Sequence, residues 1–255
     1  MLGACIGDII GSVFEFKAWK SREFPLFSER SEFTDDTVCT IAVAECLLDG
    51  LDPAATLRKW GNRYPGRGYG GNYAVWLRDP DMGPYDSYGN GAAMRVSPAA
   101  LLATSLDEAL QFARLVTSVS HNHPEGMKGA EATVTAIWMA RQGEAPEAIR
   151  NAIQTTFGYD LSRSVDDIRP DYRFNETCQA TVPEAIICAL EATNYEAAIR
   201  NAISLGGDAD TLAAIAGPIA EVLFGIPDEI RRKGMARLPK DIRDVLERLY
   251  SQVPA

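Results

Sequence analysis

Residues 34–48 read TDDTVCTIAVAECLL, the segment that declares the class of the chain most clearly. Thr34 is a good helix N-cap, Asp35 and Asp36 suit a first turn, and neither Gly nor Pro interrupts the residues up to Leu48. The pattern predicts a helix over 34–48. The same signals recur along the chain. Asp52 followed by Pro53 opens a helix with Pro at its first position. Ser105 and Glu108 have capping-box spacing ahead of Ala109, Phe112, Ala113 and Val116. Further helices are expected over 125–140, 146–157, 208–224, 227–236 and 239–250, and one starting at Pro183 and ending near Glu191. Pro218 lies inside the 208–224 segment, where an interior Pro costs about 3 kcal/mol, so a kink or break is expected near Gly217. Alternating β-branched strand patterns are scarce. The expected class is all-α, a single domain over residues 1–255.

Two stretches depart from this pattern. Gly61 to Gly91 is rich in Gly, Pro, Asn, Asp and Tyr, and Gly158 to Glu176 is polar but keeps Tyr159, Tyr172 and Phe174. Long connections of this kind are usually functional, and their aromatic content argues for order. Both are read as ordered loops over a helical scaffold. EAIRNAI at 147–153 is echoed by AAIRNAI at 197–203. Two copies are too few for a repeat array, so these are two similar amphipathic helices.

Composition narrows the function classes. Lys and Arg total 25 against 35 Asp and Glu, a formal net charge of -10. That balance lacks the basic footprint of a general nucleic-acid binder and does not favour an anionic membrane surface. The longest uncharged stretch, Val96 to Leu106, is far short of the roughly 18 residues of a spanning helix. MLGACIGDII at the start has no basic region and carries Asp8, so it does not read as a signal peptide. Five cysteines with no Cys-x-x-Cys read as reduced, buried thiols of a cytoplasmic protein.

The strongest chemical signal is a pair of acidic clusters, Thr34-Asp35-Asp36-Thr37 and Gly206-Gly207-Asp208-Ala209-Asp210-Thr211. Either alone is explained by helix capping. Capping needs only one Asp, however, and adjacent Asp residues repel. Helices built from small residues can pack backbone against backbone, which would bring two such N-termini together. Four carboxylates meeting there need cations, and hard divalent ions with oxygen ligands suit them. Neither cluster holds a His or Cys, so zinc is disfavoured and Mg²⁺ or Mn²⁺ fits best. Two such ions could polarise a water and clamp substrate oxygens. Glu15, flanked by Phe14 and Phe16, is costly to bury unless paired or metal-bound; otherwise it is a surface carboxylate at a helix end.

Six motifs, in order, resemble the ADP-ribosylglycohydrolase family across nearly the whole chain. They are GACIGDIIGSVFEF at 3–16, FTDDT at 33–37 and RGYGGN at 67–72, then YGNGAAMRVSP at 88–98, SHNHPEGMKGA at 120–130 and SLGGDADTLAAIAGPIAEVLFG at 204–225. The resemblance implies an all-α fold, two Mg²⁺ (or Mn²⁺) ions, and hydrolysis at C1″ of ADP-ribose carried by a protein side chain, a nucleic acid or a small molecule. It implies that Thr34, Asp35 and Asp36 bind one ion from one side and that Asp208, Asp210 and Thr211 complete a binuclear site. Glu15 matches a family glutamate near the second ion, one that moves to gate the site in some relatives. Carboxylates would stabilise oxocarbenium character as the bond breaks, and Glu15, Asp35 and Asp36 are the candidates to take the proton of water.

In the same context the turn Tyr88-Gly89-Asn90-Gly91-Ala92-Ala93-Met94, which runs into Arg95, reads as a diphosphate cradle of backbone N–H groups. Arg95 would pair with a phosphate or form a structural salt bridge with an acidic cluster. The resemblance makes His121 a contact to ribose or phosphate, while His123 is read as a hydrogen-bonded loop residue. The 66–72 loop lacks the carboxylate that some relatives are thought to use there. Tyr172 and Phe174 would stack an adenine or serve local packing. The expected partner is an ADP-ribose-bearing substrate and the expected state a monomer. Two other readings remain open at this level: a non-catalytic ADP-ribose or nucleotide-binding module of the same fold, and a metal hydrolase of phosphoesters.

Overall fold

A computed structural model of the protein describes residues 1–253. Among them there is no strand, only an isolated antiparallel bridge between Gly89 and Thr177. The chain is a succession of helices around one hydrophobic core, so the all-α expectation holds.

The first half comprises α1 (Leu2–Gly11), α2 (Asp35–Asp49), α3 (Pro53–Arg63), α4 (Gly71–Arg78), α5 (Gly91–Met94), α6 (Ser97–Leu102) and α7 (Leu106–Thr117). Next come α8 (Pro124–Arg141), α9 (Pro146–Phe157), α10 (Val165–Ile168) and α11 (Cys178–Leu190). The remainder are α12 (Tyr195–Ser204), α13 (Ala209–Phe224), α14 (Asp228–Met235) and α15 (Lys240–Gln252). Local signals account for many of the starts. Thr34 caps α2 by accepting from the Asp36 N–H, and Asp52 caps α3 by accepting from the Ala55 N–H. Ser105 likewise accepts from the Glu108 N–H, but Glu108 reaches past it to the backbone and hydroxyl of Thr104, so only half of the expected capping box forms.

Several expectations need correction. The helix expected to start at Pro183 begins at Cys178 and carries Pro183 inside it. A tertiary contact sets this start: the Cys178 N–H donates to the Tyr88 carbonyl at 3.0 Å, beside the Gly89–Thr177 bridge. The expected loop over 61–91 contains α4, whose Tyr73, Trp76 and Leu77 bury one helical face. The expected loop over 158–176 contains α10, with a complete capping box between Ser164 and Asp167. At Pro218, α13 continues unbroken to Phe224. The two echoed segments are α9 and α12.

Helix α13 runs through the middle of the molecule, with Ala209 to Ala220 buried throughout and α1, α11 and α12 packed on it. Each of Leu212, Ile215 and Ile219 adds about 1.5–3 kcal/mol by its burial. The α1–α13 contact is main chain on main chain. A Cβ on Gly7 would lie 2.2 Å from the Ala213 carbonyl oxygen, one on Gly3 would lie 2.5 Å from that of Gly217, and one on Gly11 would lie 2.4 Å from the Asp210 Cα. The C-terminal end of α1 is thereby fixed beside the N-terminal end of α13. All five cysteines are buried and unpaired. Among the described residues no helix is long and apolar enough to cross a membrane.

Candidate active site

The fold brings the end of α1 and the starts of α2 and α13 to one place. Asp8, on the last turn of α1, is the tie between the first two. Its carboxylate accepts from the Thr34 backbone (2.9 Å) and hydroxyl (2.8 Å), and from the Thr37 backbone (3.1 Å) and hydroxyl. These charge-assisted bonds hold a fully buried acid against the first turn of α2. Across the gap, the Thr211 hydroxyl donates to Asp36 Oδ2 at 3.3 Å and joins α13 to α2.

A cavity of about 230 Å³ opens here. Glu15, Asp35, Asp36, Asp208, Asp210 and Thr211 all line it, so both acidic clusters converge with Glu15 on one space. Carboxylate oxygens of Glu15, Asp208 and Asp210 lie within 4.8 Å of one another. Asp36 Oδ1 is buried with no hydrogen-bond partner. Burial, followed by repulsion from neighbouring acids, pushes Glu15 up to about 7 and holds Asp35, Asp36 and Asp210 well above the usual carboxylate range. Burial also raises Asp208, against the pull of its hydrogen bonds, and lifts Asp8 to about 6. A crowded, hard-oxygen set with an orphaned buried oxygen and strained ionisation fits a divalent cation.

Thr34 is placed differently from the acids beside it. Its hydroxyl bonds Asp8 and caps α2, and the residue lines a second cavity together with Glu15. Gly68 approaches from the 66–72 loop, where its Cβ would stand 3.2 Å from Asp35 Oδ1, and the Asp35 N–H donates to the Arg67 carbonyl at 2.8 Å.

The glycine turn forms another wall, through Gly89, Asn90, Gly91 and Met94. Ala92 and Ala93 are buried beneath it, and Tyr88 is exposed with its ring against His123. Three amides of the turn serve the turn itself: Ala92 donates to the Gly89 carbonyl, and Ala93 and Met94 to that of Asn90, while the Asn90 amide donates to the Glu176 carbonyl. Asn90 Nδ2 donates to Asp208 Oδ2 at 2.7 Å, a link to the acidic cluster that its place in a turn motif does not reveal. His121 is buried in the same wall, with Nδ1 2.8 Å from the Ser120 hydroxyl. Burial, helped by the nearby Arg95 cation, holds His121 well below its ordinary value and hence neutral. A Cβ on Gly91 would come within 3.0 Å of His121 Nε2.

Arg95 lines the cavity but forms no ion pair with a carboxylate of the described residues. Its guanidinium donates to the Ser120 hydroxyl at 2.8 Å and to the Val116 carbonyl at 3.3 Å, and Nε is left without a partner. The salt bridge considered for it is therefore absent among the described residues. His123 accepts from the Glu125 N–H and caps α8, the local role expected of it. Tyr172 packs on Gly207 and donates to the Ala180 carbonyl, whereas Phe174 stacks on the exposed Phe16 with centroids 5.8 Å apart. Tyr73, Tyr85 and Glu176 also line the cavity and were not anticipated. Asp8 was not anticipated either, although a lone Asp in an otherwise apolar helix demands buried partners.

Comparisons with known proteins bear on the family and the fold. The chain is similar to the human "ADP-ribosylhydrolase ARH3", 26% identical over 89% of this chain and 84% of that one. It is 29% identical to the protein of the same name from Xenopus tropicalis, over 98% of this chain and 93% of its relative. The "ADP-ribosylarginine hydrolase Tri1" of Pseudomonas putida (strain GB-1) is 25% identical, with 100% of this chain and 77% of that one covered. A solved structure, "ADP-ribosylglycohydrolase-related protein complex", superposes with a TM-score of 0.73 at 25% identity, covering 98% of this chain and 96% of its own. The ADP-ribosylglycohydrolase family model matches residues 1–254. Match and fold together place the chain in one group: it belongs to the ADP-ribosylglycohydrolase family.

Proposed function

We propose that the protein is a hydrolase that depends on two Mg²⁺ (or Mn²⁺) ions and cleaves the bond between C1″ of ADP-ribose and an acceptor. Family membership carries the coarser statement, an ADP-ribosyl hydrolase. The observation that carries the finer one is the convergence of Glu15, Asp208 and Asp210 beside the orphaned Asp36 oxygen. Thr34, Asp35, Asp36, Asp208, Asp210 and Thr211 would hold the cations together with Glu15, whose carboxylate lies beside those of Asp208 and Asp210. Bound there, divalent cations supply positive charge that offsets the carboxylates, orients the ribose hydroxyls and acidifies a water.

The protein's own groups do the rest. Gly89, Asn90 and Gly91 leave room for the diphosphate, since neither glycine places a side chain over the cavity floor. Neutral His121 offers Nε2 from the same wall to a ribose or phosphate oxygen. Asn90 keeps Asp208 oriented. The carboxylates stabilise the positive charge that develops on the ribose as the bond breaks. Glu15, Asp35 and Asp36, which all line the cavity, would be the acceptors for the proton of the attacking water. Five unpaired buried thiols support a reducing, cytoplasmic setting, and a site lined by residues of one chain supports action as a monomer.

The test is an incubation with ADP-ribosyl-arginine, ADP-ribosyl-serine peptides and ADP-ribosylated nucleic acid, each with Mg²⁺ or Mn²⁺ and with chelator. Free ADP-ribose should form from at least one acceptor and disappear with chelator. No metal-dependent release from any of them would sink the proposal.

A further inference from the structure

The second cavity, about 190 Å³, adjoins the first at Glu15 and Gly68, which line both. The glycine turn and His121 line the first cavity alone, whereas Glu15 and Gly68 line both. With the diphosphate at the turn and the ribose over the carboxylates, the second cavity is the adjoining space left for the acceptor.

Its charge is uneven. Arg67 stacks over the Phe33 ring at 4.0 Å, donates to the Phe33 carbonyl and pairs with Glu32 at 2.6 Å, so these opposite charges cancel. Glu15 belongs to the acidic cluster. Arg30 remains: it is exposed on the wall of this cavity, and no carboxylate of the described residues pairs with it. Of the two cations in this lining, Arg30 is the one that no carboxylate of the described residues holds, so it can answer a carboxylate brought in by a ligand.

We infer that the second cavity receives the acceptor peptide and that Arg30 selects acceptors carrying a carboxylate next to the ADP-ribosylated residue over those carrying a cation there. The inference rests on the first cavity being the ADP-ribose site. Arg30 is a specificity residue here; it touches the acceptor and takes no part in bond cleavage. One exposed ion pair is a modest contribution, so the expected preference is about fivefold.

Two ADP-ribosyl-serine peptides that differ only in a Glu or a Lys beside the modified serine test this. Their affinity is measured by fluorescence anisotropy and their turnover by ADP-ribose release, both with Mg²⁺ present. The Glu peptide should bind about fivefold more tightly, and the gap should shrink in about 1 M NaCl. Arg30→Gln should remove the preference and Arg30→Glu should reverse it; the exposed position makes both compatible with the fold. Equal affinities in the unmodified protein, or a preference that survives Arg30→Glu, would overturn the inference. Discrimination in binding without release would leave the groove standing and remove serine-linked ADP-ribose as the substrate. Binding of neither peptide would overturn the inference, and release from the arginine or nucleic-acid acceptors would still decide the proposed hydrolysis separately.

Discussion

Thr211 and Asp36, 175 residues apart in the chain, meet through a 3.3 Å hydrogen bond that joins the first turns of α13 and α2. The threonine hydroxyl is a donor to a buried carboxylate whose other oxygen has no partner. Thr211→Val keeps the shape and removes that donor. We expect a loss of about 1–3 kcal/mol in chelator-treated protein, read from denaturant melts. Manganese saturation, followed by calorimetry, should shift to higher concentration.

Asp35→Ala and Asp210→Ala remove one carboxylate from each side of the cavity. Turnover should vanish in both, and bound metal measured by elemental analysis should fall, while the far-ultraviolet circular dichroism stays helical. Metal should raise the melting temperature of the unmodified protein, with about 2.7 kcal/mol of stabilisation at a hundredfold excess over Kd. That gain should be blunted in both variants. Collapse of the helical signal would instead assign these acids to the fold.

Asp8 is expected to behave in the opposite manner. Its carboxylate accepts from both backbone and hydroxyl groups of Thr34 and Thr37. Asp8→Ala would strand these donors, and a loss of about 3–5 kcal/mol is expected, comparable to breaking a buried charged contact. Unlike Asp210→Ala, it should lower the melting temperature strongly even in chelator.

Gly91→Val tests the glycine wall. Its Cβ would press on His121 Nε2 at 3.0 Å, and its methyl groups would enter the cavity. ADP-ribose affinity should fall by tenfold or more in calorimetry, about 1.4 kcal/mol, with little change in melting temperature. Unchanged affinity would rule out a diphosphate position at this turn.

His121 gives a pH signature. Burial holds it well below its ordinary value of 6.5, so as pH falls through 6.5 the unfolded chain takes up a proton that the native state refuses. The stability it contributes is fully present above pH 6.5 and is lost as pH falls toward the native-state value. His121→Gln lacks this proton uptake. The stability gap between unmodified protein and variant should narrow below pH 6.5 at about 1.4 kcal/mol per pH unit, measured by urea melts across that range. A gap that stays constant with pH would show that the native state takes up this proton in step with the unfolded chain, and that burial does not hold His121 neutral.

Much of the arrangement is legible from local sequence because the acids sit in capping positions. Asp35, Asp36, Asp208 and Asp210 announce helix starts, and helix starts are what converge. The elements that escaped are those fixed by distant partners. Helix α11 begins five residues before Pro183 because Tyr88 supplies an acceptor from far away in the chain. Tyr73, Trp76 and Leu77 carry helical spacing, yet the Gly and Pro around them hide α4. Asn90 sits in what reads as a plain turn, and its bond to Asp208 spans 118 residues. Arg95 was weighed as a phosphate or carboxylate partner, whereas its hydrogen bonds run to Ser120 and to carbonyls of α7.

The seam between α1 and α13 governs how the protein tolerates change. Gly3, Gly7 and Gly11 set the two backbones in register without the help of side-chain shape. The alignment of the acids at its end is therefore insulated from the identity of the aliphatic residues elsewhere in the interior. Ile-for-Leu or Val-for-Ile drift in the outer helices can proceed without disturbing the spacing of the carboxylates, while one added methyl at Gly7 would wedge the two helices apart and draw the end of α1 away from Asp210.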